Sequence, residues 1–185
     1  MIECGCKPQI KSIVRDDFGE IFKTVKEALE TADVVVTSGS TSAGAGDVMY
    51  RVLAMLGEPG ILVHGIAVKP GKPAIIAVAK GKPIFGLPGY PVSALAIFDV
   101  ILQPVLRAMV GLEPEKKTEI EAVAGMKIFS AKGRREFLPV TFQIGKSGEI
   151  IAYPIPGGSS AIFSLSIADG FIEIPEYRDI IEEGE

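Results

Sequence analysis

The apolar and polar positions divide the chain into two differently patterned parts. Gln9–Val14 is a short apolar-rich run that predicts a strand, and it ends in Arg15-Asp16-Asp17. From Phe18 to Thr31, Ile21, Val25, Ala28 and Leu29 recur at helical spacing while Lys23, Lys26 and Glu30 face out. Val34, Val35 and Val36 form an unbroken β-branched run, which predicts a strand buried on both faces. Val48–Leu56 reads as a second helix. Ile61–Val68, Ala74–Ala79 and Pro83–Leu87 read as strands, the last two joined at Lys80-Gly81-Lys82. A long helix then runs to about Val110. This alternation predicts an α/β fold: a three-layer domain with a mostly parallel sheet.

After Gly111 the pattern changes. Leu112–Thr118 is charged and contains proline, which predicts a linker. Beyond it, Glu119–Phe129, Glu136–Ile144, Glu149–Tyr153 and Gly170–Ile174 are short strand patterns separated by glycines, with no helix-period segment. They predict a small all-β domain, a partly closed barrel. The expected domains are therefore 1–112 and 119–185, with 113–118 as linker.

Composition narrows the possible functions. With 185 residues, 48% of them hydrophobic, the chain can bury one sizeable core or two modest ones. A net charge of -4 and the absence of any Lys/Arg run argue against a general nucleic-acid binder. The first residues have no long apolar core, so they do not read as a signal peptide. The most apolar stretch, near Val92–Val110, is interrupted by Asp99, Gln103, Pro104 and Arg107, which predicts a core helix rather than a membrane span. A cytoplasmic location is the expectation. Cys4 and Cys6 lie too close for an easy disulfide, and two thiols do not complete a zinc site. His64 sits in a strand pattern and reads as a structural histidine.

Candidate chemistry concentrates where strands end. Asp33–Asp47 reads DVVVTSGSTSAGAGD. Gly39, Gly44 and Gly46 permit backbone angles that side chains forbid. Ser38, Ser40, Thr41 and Ser42 supply hydroxyls, and Asp47 stands at the expected N-cap of the next helix. A strand, a small-residue loop and a helix start can make an anion site. The spacing is neither that of a Walker loop nor that of a dinucleotide fingerprint. A tight turn whose serines satisfy backbone groups explains this stretch equally well. Lys69-Pro70-Gly71-Lys72-Pro73 holds two ammonium groups close, and an oxyanion between them would relieve their repulsion; a solvated turn is the plainer alternative. Pro88-Gly89-Tyr90-Pro91-Val92-Ser93 again joins a strand end to a helix start, and Ser93 could cap that helix or bind an anion. Asp16 and Asp17 read either as helix caps or as carboxylates at the ligand-binding edge of a sheet. Lys132-Gly133-Arg134-Arg135 is a basic turn, and Pro156-Gly157-Gly158-Ser159-Ser160 a glycine-serine turn; solvent-exposed hairpins are the default for both.

TSGSTSAGAGD, KPGKP, GLPGYPVSAL, GRREF and GGSSAIFSLSIADGF, in this order, resemble the molybdenum-cofactor biosynthesis family that includes MoeA, the plant Cnx proteins and the E domain of gephyrin. The resemblance covers about Ile13 to Pro175. It implies a molybdopterin-binding domain like that of the MogA and MoaB proteins, followed by the family's C-terminal β-barrel domain. It implies substrates, adenylylated molybdopterin and molybdate. It also implies Mg²⁺-dependent hydrolysis of the adenylyl group, releasing AMP and leaving molybdenum on the dithiolene. Lys69, Lys72, Pro73, Ser93, Arg134 and Ser159 match the family's molybdate-contacting positions, with Ser160 as an alternative to Ser159. Asp16 and Asp47 match the acidic positions tied to Mg²⁺ and adenylate hydrolysis, so that Asp16, Asp47, Lys69 and Lys72 are the catalytic candidates. Ser38, Gly39, Ser40, Ser42 and Gly44 would hold the pterin phosphate, and Pro88 and Gly89 belong to the same cofactor-binding set. A tetrahedral dianion suits such a cradle of ammonium, guanidinium and hydroxyl groups, and hard carboxylate oxygens suit Mg²⁺.

The chain departs from the family pattern at Ser40, at Tyr90 and at Gly65, where the family more often has glycine, asparagine and, in some members, lysine. Family members also carry two further N-terminal domains, which help form a dimer and close the site. The expectation is a fragment or one half of a split protein, working as a homodimer or with a protein carrying those domains. Two functions compete: a molybdenum- or tungsten-inserting transferase, and a non-catalytic module that binds molybdopterin or an oxyanion or recruits a partner. A MogA-like adenylyltransferase is disfavoured by the C-terminal barrel and the KPGKP turn. Lys69, Lys72, Ser93, Arg134 and Ser159 are expected to converge, as are Asp16 and Asp47.

Overall fold

The computed structural model describes residues 1–39, 41, 48–157 and 162–185. The chain forms two compact units, the first comprising Met1–Ile66 and Gly71–Glu115 and the second Ala67–Pro70 and Lys116–Glu185.

In the first unit, α1 (Phe18–Thr31) buries Ile21, Val25, Ala28 and Leu29, the face that helical spacing marks out. Its N-cap is Asp17, whose Oδ1 accepts the Glu20 N–H at 2.9 Å. The sheet contains β1 (Val35–Ser38), β2 (Pro59–His64), β4 (Ile75–Ala79) and β5 (Lys82–Leu87), in the order β1-β5-β4-β2. Helix α2 (Val48–Met55) packs on α1 and β2. Leu29, Val52, Leu53, Ile75 and Ile84 are the centre of one apolar core.

The sheet is mixed, not mostly parallel as the sequence predicts. Only β1 and β5 run parallel; β5 with β4, and β4 with β2, are antiparallel. Connection length is the reason. Parallel neighbours need a crossover of about a dozen residues or more, whereas Lys80 and Gly81 alone join β4 to β5. Both residues have positive φ, 54° and 73°, as a two-residue hairpin turn of type I′ requires. The predicted Gln9–Val14 strand does not form, and Ile10 and Ile13 are fully exposed. An apolar run becomes a strand only when a neighbour takes up its backbone ladder, and no described strand lies beside it.

Helix α3 (Pro91–Met109) contains a π-helical turn at Phe98–Leu102. By length and composition it could cross a membrane. One face, Val92, Ser93, Ile97, Leu102 and Leu106, is buried, while Leu95 and Met109 are exposed. The predicted core helix is thus buried on one side only.

The second unit is a small β domain. It contains β3 (Val68–Lys69), β6 (Val123–Ala124), β7 (Ile128–Phe129), β8 (Arg135–Ile144), β9 (Ile150–Pro154), β10 (Gly170–Ile174) and β11 (Ile180–Ile181). The order is β10-β8-β9-β6, with β3 added parallel to β8 and β7 paired with β11. Among the described residues the strand order of the larger sheet does not close on itself, within the partly closed arrangement that the sequence predicts. Four of the seven strands have only two residues, too few to carry a ladder round. The unit is not all-β, because α4 (Ile162–Ile167) interrupts it. Six residues span less than two turns, so no helical period shows in the sequence.

Candidate functional site

In the first unit, three sequence-predicted motifs meet at the carboxyl ends of β1 and β5. The two strands are parallel and in register, Ser38 opposite Leu87, so their following loops emerge side by side. The Gly39 N–H donates to the Leu87 carbonyl at 3.1 Å, and the Ser38 hydroxyl donates to the Pro88 carbonyl at 3.4 Å. Thr41 is buried, and its hydroxyl donates to the Leu87 carbonyl at 3.4 Å. A Cβ on Gly89 would lie 3.5 Å from the Gly39 Cα, so the two loops touch through their glycines.

The KPGKP turn joins them through Gly71. This glycine has φ 118°, and a Cβ there would stand 2.6 Å from Ile97 Cγ1 and 3.5 Å from the Ser93 carbonyl oxygen. Only glycine fits so close to α3. The buried Ser93 sits in the first turn of that helix. Lys72 follows Gly71 and is exposed, with its carbonyl fixed by the Ile66 N–H at 2.9 Å. Pro73 is half-buried beside it. This edge thus gathers Ser38, Gly39, Pro88 and Gly89, while the Gly71 contact brings the turn bearing Lys72 and Pro73 against the start of α3 and Ser93.

In the second unit, the Lys69–Pro70 peptide is cis, and Lys69 lies on β3 opposite Glu136 of β8. Its Nζ pairs with Glu136 Oε1 at 2.8 Å. Oε2 of the same carboxylate accepts the Ser130 hydroxyl at 2.7 Å and the Ala131 N–H at 3.3 Å. Ser130 and Ala131 open the turn that carries Arg134, itself half-buried. Thus the strand bearing Lys69 and the turn bearing Arg134 are tied to one buried carboxylate. Burial pushes the Glu136 carboxyl up, but the hydrogen bonds from Lys69, Ser130 and Ala131 outweigh it and leave the group below its ordinary value. Glu136 is absent from the sequence-derived candidates. Its signal is the one carboxylate in a largely apolar strand, at a position that alternation turns inward with Leu138 and Val140, opposite to Arg135.

Asp16 is exposed just before α1, and the cap falls to Asp17. Asp47, Ser40, Ser42, Gly44, Ser159 and Ser160 lie outside the described residues. Among the described residues, no three His, Cys, Asp or Glu side chains gather into a group able to hold a metal ion. His64 packs against Tyr50 with ring centroids 4.8 Å apart and the rings tilted by 31°.

An α/β unit with small-residue turns at parallel strand ends, followed in the chain by a small β unit, defines a two-unit protein. Residues 1–108 match the family described as probable molybdopterin binding domain, and residues 121–185 match the MoeA C-terminal region, domain IV. The chain belongs to this family of molybdenum cofactor biosynthesis proteins. It is 32% identical to molybdopterin molybdenumtransferase 2 of Mycobacterium tuberculosis, covering 90% of this chain and 41% of the relative. With molybdopterin molybdenumtransferase of Haemophilus influenzae it shares 32% identity over 94% of this chain and 43% of the relative. The crystal structure of a MoeA molybdopterin biosynthesis protein from Pyrococcus horikoshii superposes with a TM-score of 0.72 at 43% identity, covering 92% of this chain and 40% of that one. The chain therefore spans about two fifths of the length of these relatives.

Proposed function

We propose that this chain is the oxyanion- and pterin-binding portion of a MoeA-like molybdopterin molybdenumtransferase, taking molybdate or tungstate and adenylylated molybdopterin. The observation that supports it best is the meeting of the TSG loop, the LPG loop and the glycine of KPGKP around one strand edge, with Ser93 against that glycine. Lys69, Lys72 and Arg134 supply ammonium and guanidinium donors, and Ser93 and Ser159 or Ser160 supply hydroxyls, for a tetrahedral dianion. Ser38, Gly39, Ser40, Ser42 and Gly44 hold the pterin phosphate, with Pro73, Pro88 and Gly89 shaping the wall. Asp16 and Asp47 offer hard oxygen donors, and Mg²⁺ usually takes one or two carboxylates plus substrate phosphate. When bound, Mg²⁺ would offset charge on the adenylyl phosphate as AMP leaves. The same two carboxylates orient the water that splits the adenylyl bond. We place the protein in the cytoplasm, as a homodimer or bound to a protein carrying the relatives' remaining domains.

The second reading is a binding module without turnover. It is favoured by the share of the relatives that this chain spans, 41% and 43%. Calorimetric titration with molybdate and tungstate, followed by an assay of AMP release from adenylylated molybdopterin, tests both. Oxyanion binding with AMP release on addition of the relatives' other domains supports the transferase. Binding without AMP release under any condition leaves the module, and no binding at all rejects both.

A further inference from the structure

The basic groups of the second unit do not stand alone, because one buried carboxylate organises them. Glu136 is 5% exposed at its side chain, whereas Lys69 is 44% exposed. Three donors converge on Glu136 from two segments: the Lys69 ammonium on Oε1, and the Ser130 hydroxyl and Ala131 N–H on Oε2. Only an acceptor-only group satisfies all three. An amide in its place would turn an N–H toward either the ammonium or the Ala131 N–H. The backbone holds the pair in register, since β3 lies parallel to β8 with Lys69 opposite Glu136, and the Arg135 N–H donates to the Ala67 carbonyl at 2.9 Å.

We propose that Glu136 is a positioning residue for oxyanion binding: it fixes the Lys69 ammonium and the Ser130–Arg134 turn in place and neutralises the charge of Lys69. This rests on the reading of Lys69 as an oxyanion-binding group. An ammonium has three N–H donors, and Glu136 uses one of them. Lys69 therefore offers aimed donors rather than net charge. Removing Lys69 alone does more than delete a donor. It leaves the Glu136 carboxylate buried, without its cation, and facing the approaching anion.

A double-mutant cycle in the full 185-residue chain tests this, with molybdate as the probe in calorimetry. Glu136→Gln is expected to weaken binding about tenfold, and Lys69→Met by more. The double variant should bind no worse than Lys69→Met, and better if the stranded carboxylate repels the anion. Losses that simply multiply would show that Glu136 acts on the fold and not through Lys69, and would overturn the proposal. A second readout does not depend on the oxyanion. The Lys69 Nζ resonance in ¹⁵N spectra, assigned by its loss in Lys69→Met, should move in Glu136→Gln; an unmoved resonance overturns the proposal. A moved resonance with unchanged molybdate affinity in Lys69→Met keeps the ion pair but removes Lys69 from oxyanion binding, and the proposal falls with that reading. Should Glu136→Gln not fold, Ser130→Ala takes its place. It loosens the same carboxylate without changing charge, and its smaller loss of affinity must vanish in the Lys69→Met background.

Discussion

Gly71 and Glu136 each have a conformation or environment that admits one side chain, and each gives a measurable expectation. Gly71 combines φ 118° with a virtual Cβ 2.6 Å from Ile97 Cγ1. Gly71→Ala must both adopt a disfavoured backbone and displace the buried Ile97 side chain of α3. Strain of this kind costs about 1–3 kcal/mol, to be read as a lowered denaturation midpoint. Because the same helix carries Ser93 one turn before Ile97, molybdate affinity should fall with it; a variant as stable as the parent would contradict the packing described. Glu136 gives a pH dependence. Its carboxyl lies below the ordinary value of 4.5: burial raises it, and the bonds from Lys69, Ser130 and Ala131 lower it further. A lowered folded value means stability that is present above the unfolded pKa and lost as pH falls through the folded one. The melting temperature of the parent should therefore exceed that of Glu136→Gln near neutrality, and the gap should narrow below about pH 4.5. A gap independent of pH would mean that the charge of Glu136 is not what stabilises.

At the scale of elements, adjacent aspartates do different work. Asp17 caps α1 through Glu20, so Asp17→Ala should cost about 1 kcal/mol in unfolding measurements and leave molybdate affinity unchanged. Asp16 is not the cap, so Asp16→Ala should cost less stability while abolishing AMP release in the assembled enzyme; undiminished AMP release would remove it from the catalytic set. The sequence discloses such elements unevenly. The apolar face of α1 and the strands ending in TSG and LPG are legible because periodicity and turn chemistry are local, whereas the predicted Ile61–Val68 strand is split into β2 and β3, which belong to different sheets. Strand direction is not legible, since it depends on which strands become neighbours, and the sheet proved mixed for that reason. Gln9–Val14 has a strand's pattern yet forms none, because pattern cannot supply a ladder partner. The site shows the same division. Ser38, Gly39, Pro88, Gly89 and Ser93 announce themselves in small-residue loops, and the basic turns announce Lys69 and Arg134. Glu136 does not, because its importance comes from a β3–β8 register set by residues about seventy positions apart in sequence.

At the scale of the molecule, the exposure of the basic groups sets what this chain can do alone. Lys72 is exposed and Lys69 is 44% exposed, its charge already met by Glu136. Two unit charges 4 Å apart attract by about 1 kcal/mol in bulk water and about 4 kcal/mol at the effective dielectric near a protein surface. Groups this wet sit toward the lower figure. The 185-residue chain should therefore bind molybdate weakly, in a salt-sensitive manner, and should not release AMP from adenylylated molybdopterin. Relatives of which this chain spans 41% and 43% have further polypeptide, and on the proposed function that portion would exclude water and wall the pterin. Supplying that remaining portion of a relative as a separate protein should tighten molybdate binding and start AMP release, while the Lys69→Met and Lys72→Ala variants should respond to neither. Calorimetry with and without the added portion, alongside an AMP assay, reads both effects. AMP release by the 185-residue chain alone, at the rate of a full-length relative, would mean that exposed lysines suffice and that burial of the oxyanion is not what drives the chemistry.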